Sequence, residues 1–424
     1  MSTPAVGAAP EAEAGRHLRH NVLALGADLG LFMVGLSFAS QSTLLPAFMA
    51  HLGAPNLAIG AIDSVMTVGW FLPALFVASH TETLARKLPF VLRWTVWERV
   101  PLGALGLVAF FLAERAPALA QAAVLLLLFA MTGVGGILMP AWMDIVGRSI
   151  PTTLRGRFFA GAHVLGSAGG LLGGLATTYI LAALPAPGGY GACFLIGFVF
   201  MALSFAALAS VREPAAAAAA ADPASLARYL GRIPPLLWRD RNLSWFLVAR
   251  ACAAFAMMAG AFYTVYALQA WQAPAWQVGV FTAVLLLGRT VSSIVLGWLA
   301  DSAGHRLVIM IGVASTVAAN ALALGAQSIP AFTVVFALIS VHFAAVHVSW
   351  LPVLLEFAPT VQERPTYVGI GNTAFAPAAF AAPLLAGAMA DAFGFRSIFV
   401  TALVFGGIAL TVLARVRDPR HAGR

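Results

Sequence analysis

Lysine is almost missing from this chain. Lys87 is the only one in 424 residues, and Arg86 precedes it, so no G-x-x-x-x-G-K-[ST] phosphate loop exists. That excludes ATP as a partner and primary pumping as an activity. Charge of both signs is scarce: 9% of residues are charged against 61% hydrophobic, a balance outside the range of soluble domains. Only two cysteines occur, Cys193 and Cys252, and both fall in apolar runs, which favours packing over a disulfide. The short alternating segments of about 10 residues that a membrane barrel needs are absent. No acid and nucleophile share a loop, so no catalytic residue, cofactor or enzymatic activity is expected.

What is present is a series of apolar runs, each long enough to cross a hydrocarbon core about 30 Å thick as a helix. Twelve are read, at 22–50, 57–80, 90–113, 118–147, 158–184, 190–211, 244–270, 276–300, 306–326, 331–357, 367–389 and 396–414. The fold class is therefore an all-α membrane protein with the bilayer as its first partner. The formal charge of +8 invites a nucleic-acid reading, but nineteen of the 24 basic residues lie in alternate connections on the side of the N-terminus or in the first turn of the adjoining run. Arg115 and Arg396 lie opposite, and Arg99, Arg250 and Arg289 lie within runs. This asymmetry places both termini in the cytoplasm of a multi-pass protein of the cell (inner) membrane and leaves nucleic acid without a role. Residues 1–20 lack the apolar core of a signal peptide, so the first run is expected to serve for targeting.

Residues 1–21 and 415–424 read as cytoplasmic tails, and 22–211 and 244–414 as two six-helix bundles. Between them, 212–243 is a linker with an Ala run and five arginines, in which Asp222 and Pro223 suit the start of a short helix near 224–231. The bundles echo each other. "APNLAIG" at 54–60 resembles "APAWQVG" at 273–279, and the same offset of 219 pairs Gly69 with Gly288, Glu82 with Asp301 and Lys87 with Arg306. Pro140 and Asp144 are spaced like Pro352 and Glu356. Weak repeats of this kind build many transporters around a central site.

"GWLADSAGHR" at 297–306 carries Gly297, Asp301, Gly304 and Arg306 in the pattern G-x-x-x-D-x-x-G-x-R. With twelve runs and a basic central linker, the chain resembles the major facilitator superfamily along its whole length. Physically, Gly297 would let a helix approach, Asp301 accept from exposed amides, Gly304 permit a turn and Arg306 offer its fork to a carboxylate. The resemblance implies a cytoplasmic latch that closes in one state and releases in another, with Asp144 and Glu356 as carboxylate partners. The copy at 78–87, "ASHTETLARK", keeps Glu82 and Lys87 but has Ala78 and Ala85 at the glycine positions. Arg155, in "LRGR", also matches the superfamily; a topology determinant is the equal alternative. The glycines of span 5 resemble the motif of drug antiporters, but Gly170 replaces its Pro and Phe129 stands where those proteins carry Arg.

Ionisable residues within spans cost about 2.5–3.5 kcal/mol on insertion scales, which makes each a functional candidate. Asp28, Arg250 and Asp144 lie near cytoplasmic ends, where structural roles are favoured. Arg289 lies mid-span. It shares a helical face with Thr282, and Asp63, Thr67 and Trp70 form the matching stripe in span 2. Asp63 is read as a proton carrier or outer gate residue. Glu98 and Arg99 point about 100° apart and are expected not to face one partner, with one of them free to pair with another span. His342 and His347, about 140° apart, cannot share a metal ion, so no metal is expected; proton coupling and packing remain as roles for them. Gln41 and Asn372 complete the substrate or proton candidates, with Trp142, Tyr263 and Trp350 as possible cavity or interface aromatics. Together these imply a secondary transporter of a small organic solute, coupled to protons or a solute gradient, with export slightly favoured. The alternative is a receptor or scaffold on the same fold.

Overall fold

All twelve apolar runs are helical, and two of them are broken at the same place in the repeat. The computed structural model describes residues 8–82, 84–214, 233–360 and 363–417. The helices are α1 (Ala8–Ser37), α2 (Leu44–His51), α3 (Asn56–Glu82), α4 (Leu88–Phe111), α5 (Pro117–Ser149), α6 (Thr152–Ala183) and α7 (Gly188–Ala209). After the linker come α8 (Ile233–Arg239), α9 (Arg241–Ala256), α10 (Phe262–Ala270), α11 (Gln277–Ala303) and α12 (His305–Gly325). The last three are α13 (Ile329–Phe357), α14 (Arg364–Phe393) and α15 (Phe395–Arg415). No strand occurs among the described residues. Among the described residues, nine helices are long and apolar enough to cross a membrane. In hydrocarbon the backbone must satisfy its own polar groups, so continuous apolar runs become helices. The linker helix expected near 224–231 lies outside the described residues.

The first and seventh runs, expected as single spans, depart from that expectation. α1 ends at Ser37 and α9 at Ala256, an offset of 219, and the chain resumes as α2 and α10 after short turns. The turn at 38–43 keeps its amides bonded locally: Phe38 donates to the Gly35 carbonyl at 3.2 Å and Ala39 to that of Leu36 at 3.0 Å. A carbonyl freed by the turn, that of Ser42, accepts from the Thr264 hydroxyl at 3.0 Å. Long-range partners thus supply what the broken helix loses.

The chain forms two compact units. The first comprises 1–39, 65–173 and 183–223; the second comprises 40–64, 174–182 and 224–424. The first is built around Leu25, Val91, Ile145, Phe158 and Leu208, and the second around Phe246, Val353, Leu354, Tyr367 and Leu413. The second unit thus contains α2, the start of α3 and the end of α6, all drawn from the first half of the sequence. Gly304 (φ 95°) and Gly394 (φ 79°) are one-residue joints between α11 and α12 and between α14 and α15, where a side chain would strain the backbone.

Candidate functional site

The repeated glycines mark helix crossings. A Cβ at Gly69 would lie 2.0 Å from Thr132 Oγ1 in the first unit, and one at its repeat mate Gly288 would lie 2.2 Å from Ser340 Oγ in the second. The glycines that end "APNLAIG" and "APAWQVG" behave alike: a Cβ at Gly60 would meet the Pro383 carbonyl oxygen at 2.1 Å, and one at Gly279 the Thr178 nitrogen at 2.3 Å. Both lie in the second unit. There α3 runs against α14 and α11 against α6 with no room for a methyl group. Asp391 near the end of α14 completes the α3 contact by accepting from the amides of Asn56 and Leu57, each at 3.0 Å, and from Asn56 Nδ2 at 2.9 Å. A carboxylate at a helix N-terminus also meets favourable partial charge.

Several predicted site residues gather in this unit. Gln41 Nε2 donates to Asp63 Oδ1 at 3.0 Å, joining the turn after α1 to α3. Two residues further on, Thr43 and Thr282 share a hydrogen bond of 2.6 Å between buried hydroxyls. Arg289 sits midway along α11, exposed, and makes no ion pair among the described residues. Trp350 Nε1 donates to Asn372 Oδ1 at 3.2 Å, tying α13 to α14. His342 is buried with Nδ1 3.3 Å from the Gly312 carbonyl, whereas His347 is exposed on the same helix. No group of three metal-ligating side chains occurs among the described residues. Trp70 belongs to the first unit and is 37% exposed, on the same continuous helix as Asp63.

The signature segment corrects two expectations. Among the described residues, nothing approaches within 4 Å of a Cβ at Gly297, so none of their helices uses the space it leaves. Arg306 does not spend its fork on a carboxylate: Nε donates to the Leu413 carbonyl at 3.1 Å and Nη2 to that of Ala414 at 3.0 Å. It serves the carbonyl end of α15, where a cation is favoured by the helix dipole. Glu356 lies instead 3.8 Å from His305 Nε2, and His305 Nδ1 lies 3.1 Å from Ser349 Oγ. Gly304 makes the expected turn, and Asp301 stands exposed on the last turn of α11. In the first-half copy, Lys87 Nζ lies 2.8 Å from Asp144 Oδ2, which also meets Arg148 Nε at 2.6 Å. The side chain of Glu82 lies outside the described residues. Arg155 caps the end of α5 by donating to the carbonyls of Gly147 and Ile150.

Sequence reasoning missed two groups. The first is Glu213, whose oxygens accept from the amides of Lys87 and Leu88 at 2.9 and 2.8 Å and so cap α4. Its signal was available, since "VREP" at 211–214 recurs as "VRDP" at 416–419. The second is a buried cluster in the first unit. Asp28 accepts from Arg99 Nη2 at 2.9 Å, Ser204 Oγ at 2.6 Å and Trp142 Nε1 at 2.9 Å. Arg99 also reaches Glu98 Oε2 at 3.3 Å and the Thr95 hydroxyl, which itself donates to Glu98 at 2.9 Å. Glu98 and Arg99 therefore share a partner despite their angular separation, because the long guanidinium stem bends back over the preceding turn.

Residues 251–424 match the family model described as Major Facilitator Superfamily. No curated protein matches the chain in sequence. Among solved structures, a mutant of the nucleoside transporter NupG aligns with 93% of this chain and 98% of its own, at 14% identity and a TM-score of 0.72. A D-xylose-proton symporter aligns over 94% and 98%, at 14% identity and 0.67. A bacterial homologue of the human lysosomal transporter Spinster, inward-facing and occupied, aligns over 95% and 96%, at 13% identity and 0.67. Those likenesses extend the shared fold to the first half of the sequence. The second half of the chain thus matches the model of the major facilitator superfamily, and the whole chain shares the fold of these solved transporters, with no subfamily assigned.

Proposed function

We propose that this protein is a secondary active transporter that moves a small organic solute across the cell membrane by alternating access, drawing on a proton or solute gradient, with export slightly favoured. Both termini would lie in the cytoplasm, and two six-helix bundles at 22–211 and 244–414 would rock about a central site. The observation that carries this reading is the set of glycine-tight crossings at Gly60, Gly174, Gly279 and Gly387 inside the second unit. They draw α2 and the ends of α3 and α6, from the first half of the sequence, onto helices of the second half. By alternation along the chain, these ends lie on the side away from the linker. Close-fitting, methyl-free surfaces of this kind suit a gate that packs fully in one state and parts in another.

Arg289, Asp63, Gln41, Asn372, Trp70, His342 and His347 remain the candidates for solute or proton contact. Lys87, Asp144, Arg306, Glu356 and the 297–306 turn are candidates for the cytoplasmic latch. The test is uptake into proteoliposomes under an imposed pH gradient and without one, using a solute first identified by its stabilisation of the purified protein. Gradient-driven accumulation that Arg289→Ala abolishes supports the reading. Stabilisation by a solute that never crosses would favour a receptor.

A further inference from the structure

The two halves treat their intramembrane arginines differently. Arg99 in the first half is matched by two carboxylates, Asp28 and Glu98. The second half has Arg250 and Arg289 within its apolar runs, while its acidic side chains among the described residues, Asp240, Asp301, Glu356, Glu363 and Asp391, stand at helix ends or just outside them. A cation in a low-dielectric interior calls for an anion, and no ion pair to either arginine occurs among the described residues.

Arg250 shows where such an anion would sit. Its guanidinium lies over the ring of Trp350 and, at 3.8 Å from the centroid, over that of Phe375. Aromatic faces stabilise the flat faces of the cation but accept nothing from its in-plane N–H groups. Among the described residues, the acceptor for those five donors is the Gly371 carbonyl, at 3.5 Å. Trp350 is fixed in turn by stacking on Phe246 at 5.5 Å and by its bond to Asn372. Arg250, Trp350, Asn372 and Phe375 each retain part of their surface, whereas Ala249, Ala253, Val353 and Leu354 nearby are buried.

We infer that Arg250, Trp350, Asn372 and Phe375 form a binding site for an organic monoanion, a carboxylate with a planar apolar body. The carboxylate pairs with the N–H edge of Arg250 in a forked geometry, the Asn372 amide supplies a further donor, and the body packs along the ring edges of Phe375 and Trp350, whose faces Arg250 and, for Trp350, Phe246 already cover. A single guanidinium matches one carboxylate, where a phosphate dianion would call for more donors. This rests on the transport reading and names the solute class for it.

The experiment measures thermal stability of the purified protein at constant ionic strength against benzoate and indole-3-acetate, their neutral amides, and cationic tryptamine. The two acids are expected to stabilise saturably, at least tenfold more tightly than the amides or the amine. Arg250→Gln should abolish the shift, Arg250→Lys should retain part of it, and Asn372→Ala should weaken it. Equal binding of acid and amide, or no shift with either acid, overturns the inference; that comparison uses the unmodified protein and does not depend on a variant folding. An undiminished shift in folded Arg250→Gln overturns it as well. Radiolabelled benzoate and indole-3-acetate in proteoliposomes then separate the two readings. An acid that binds through Arg250 but is not moved leaves this site standing and removes transport, whereas movement of a neutral solute without acid binding does the reverse.

Discussion

Asn21 and Arg212 exchange two hydrogen bonds: the Asn21 amide donates to the Arg212 carbonyl at 2.9 Å, and the Arg212 amide donates to Asn21 Oδ1 at 3.0 Å. Asn242 and Arg417 repeat the exchange at 2.9 and 2.8 Å. In each half, a side chain at the start of the first spanning helix thus holds the backbone just beyond the last one. Asn21 is fully buried, so Asn21→Ala should lower stability by about 1–3 kcal/mol through unmet backbone groups. Asn242 is partly exposed, and water can replace part of its loss, so Asn242→Ala should cost less. Melting of the purified variants decides this; equal small losses would show the clamps to be incidental.

Arg99→Gln should be among the most damaging single changes. It leaves Asp28 and Glu98 buried without their cation, and breaking a buried pair in this way costs about 3–5 kcal/mol. Adding Asp28→Asn to Arg99→Gln should restore part of the stability. A double variant no more stable than the single one would count against a charge-based role.

Gly60→Val should loosen the crossing of α3 on α14, since even a Cβ there would meet the Pro383 carbonyl. Overpacking of this kind costs about 1–3 kcal/mol. A cysteine introduced at the buried Thr43, in a background with Cys193 and Cys252 replaced by Ala, should then react faster with a membrane-impermeant maleimide. Unchanged labelling would mean that the crossing does not control access.

Arg306→Lys should not rescue Arg306→Ala fully. The guanidinium serves the Leu413 and Ala414 carbonyls from two different nitrogens, and an ammonium lacks that fork. Full recovery of stability with Lys would show that charge near the helix end is all that matters.

Arg289→Ala should leave melting within about 0.5 kcal/mol of the parent, as for exposed sites without partners. A loss of uptake in that variant would then report on function directly. A large fall in stability would return Arg289 to a structural role.

Helical spans were legible because continuous apolar runs admit only one secondary structure in hydrocarbon. The breaks at 38–43 and 257–261 were not, because neither turn contains proline and the groups that stabilise the first include Thr264, far along the chain. The offset of 219 was readable as a repeat, but its purpose at Gly60 and Gly279 emerged only with the neighbours that exclude a side chain. Angular separation misjudged Glu98 and Arg99, since a long side chain is not confined to the direction of its Cβ. Arg306 was read toward a carboxylate because spacing reveals a donor and says nothing of which acceptor lies in reach.

The solitary lysine has a practical meaning. Lys87 is 7% exposed and held against Asp144, so an amine-reactive reagent finds no open lysine anywhere in these 424 residues. Acylation of Lys87 should therefore be slow while the contact persists and fast when it parts, making the native chain its own chemical clock for motion at that corner. Mass spectrometry after a brief pulse of reagent would read that clock without any engineered label.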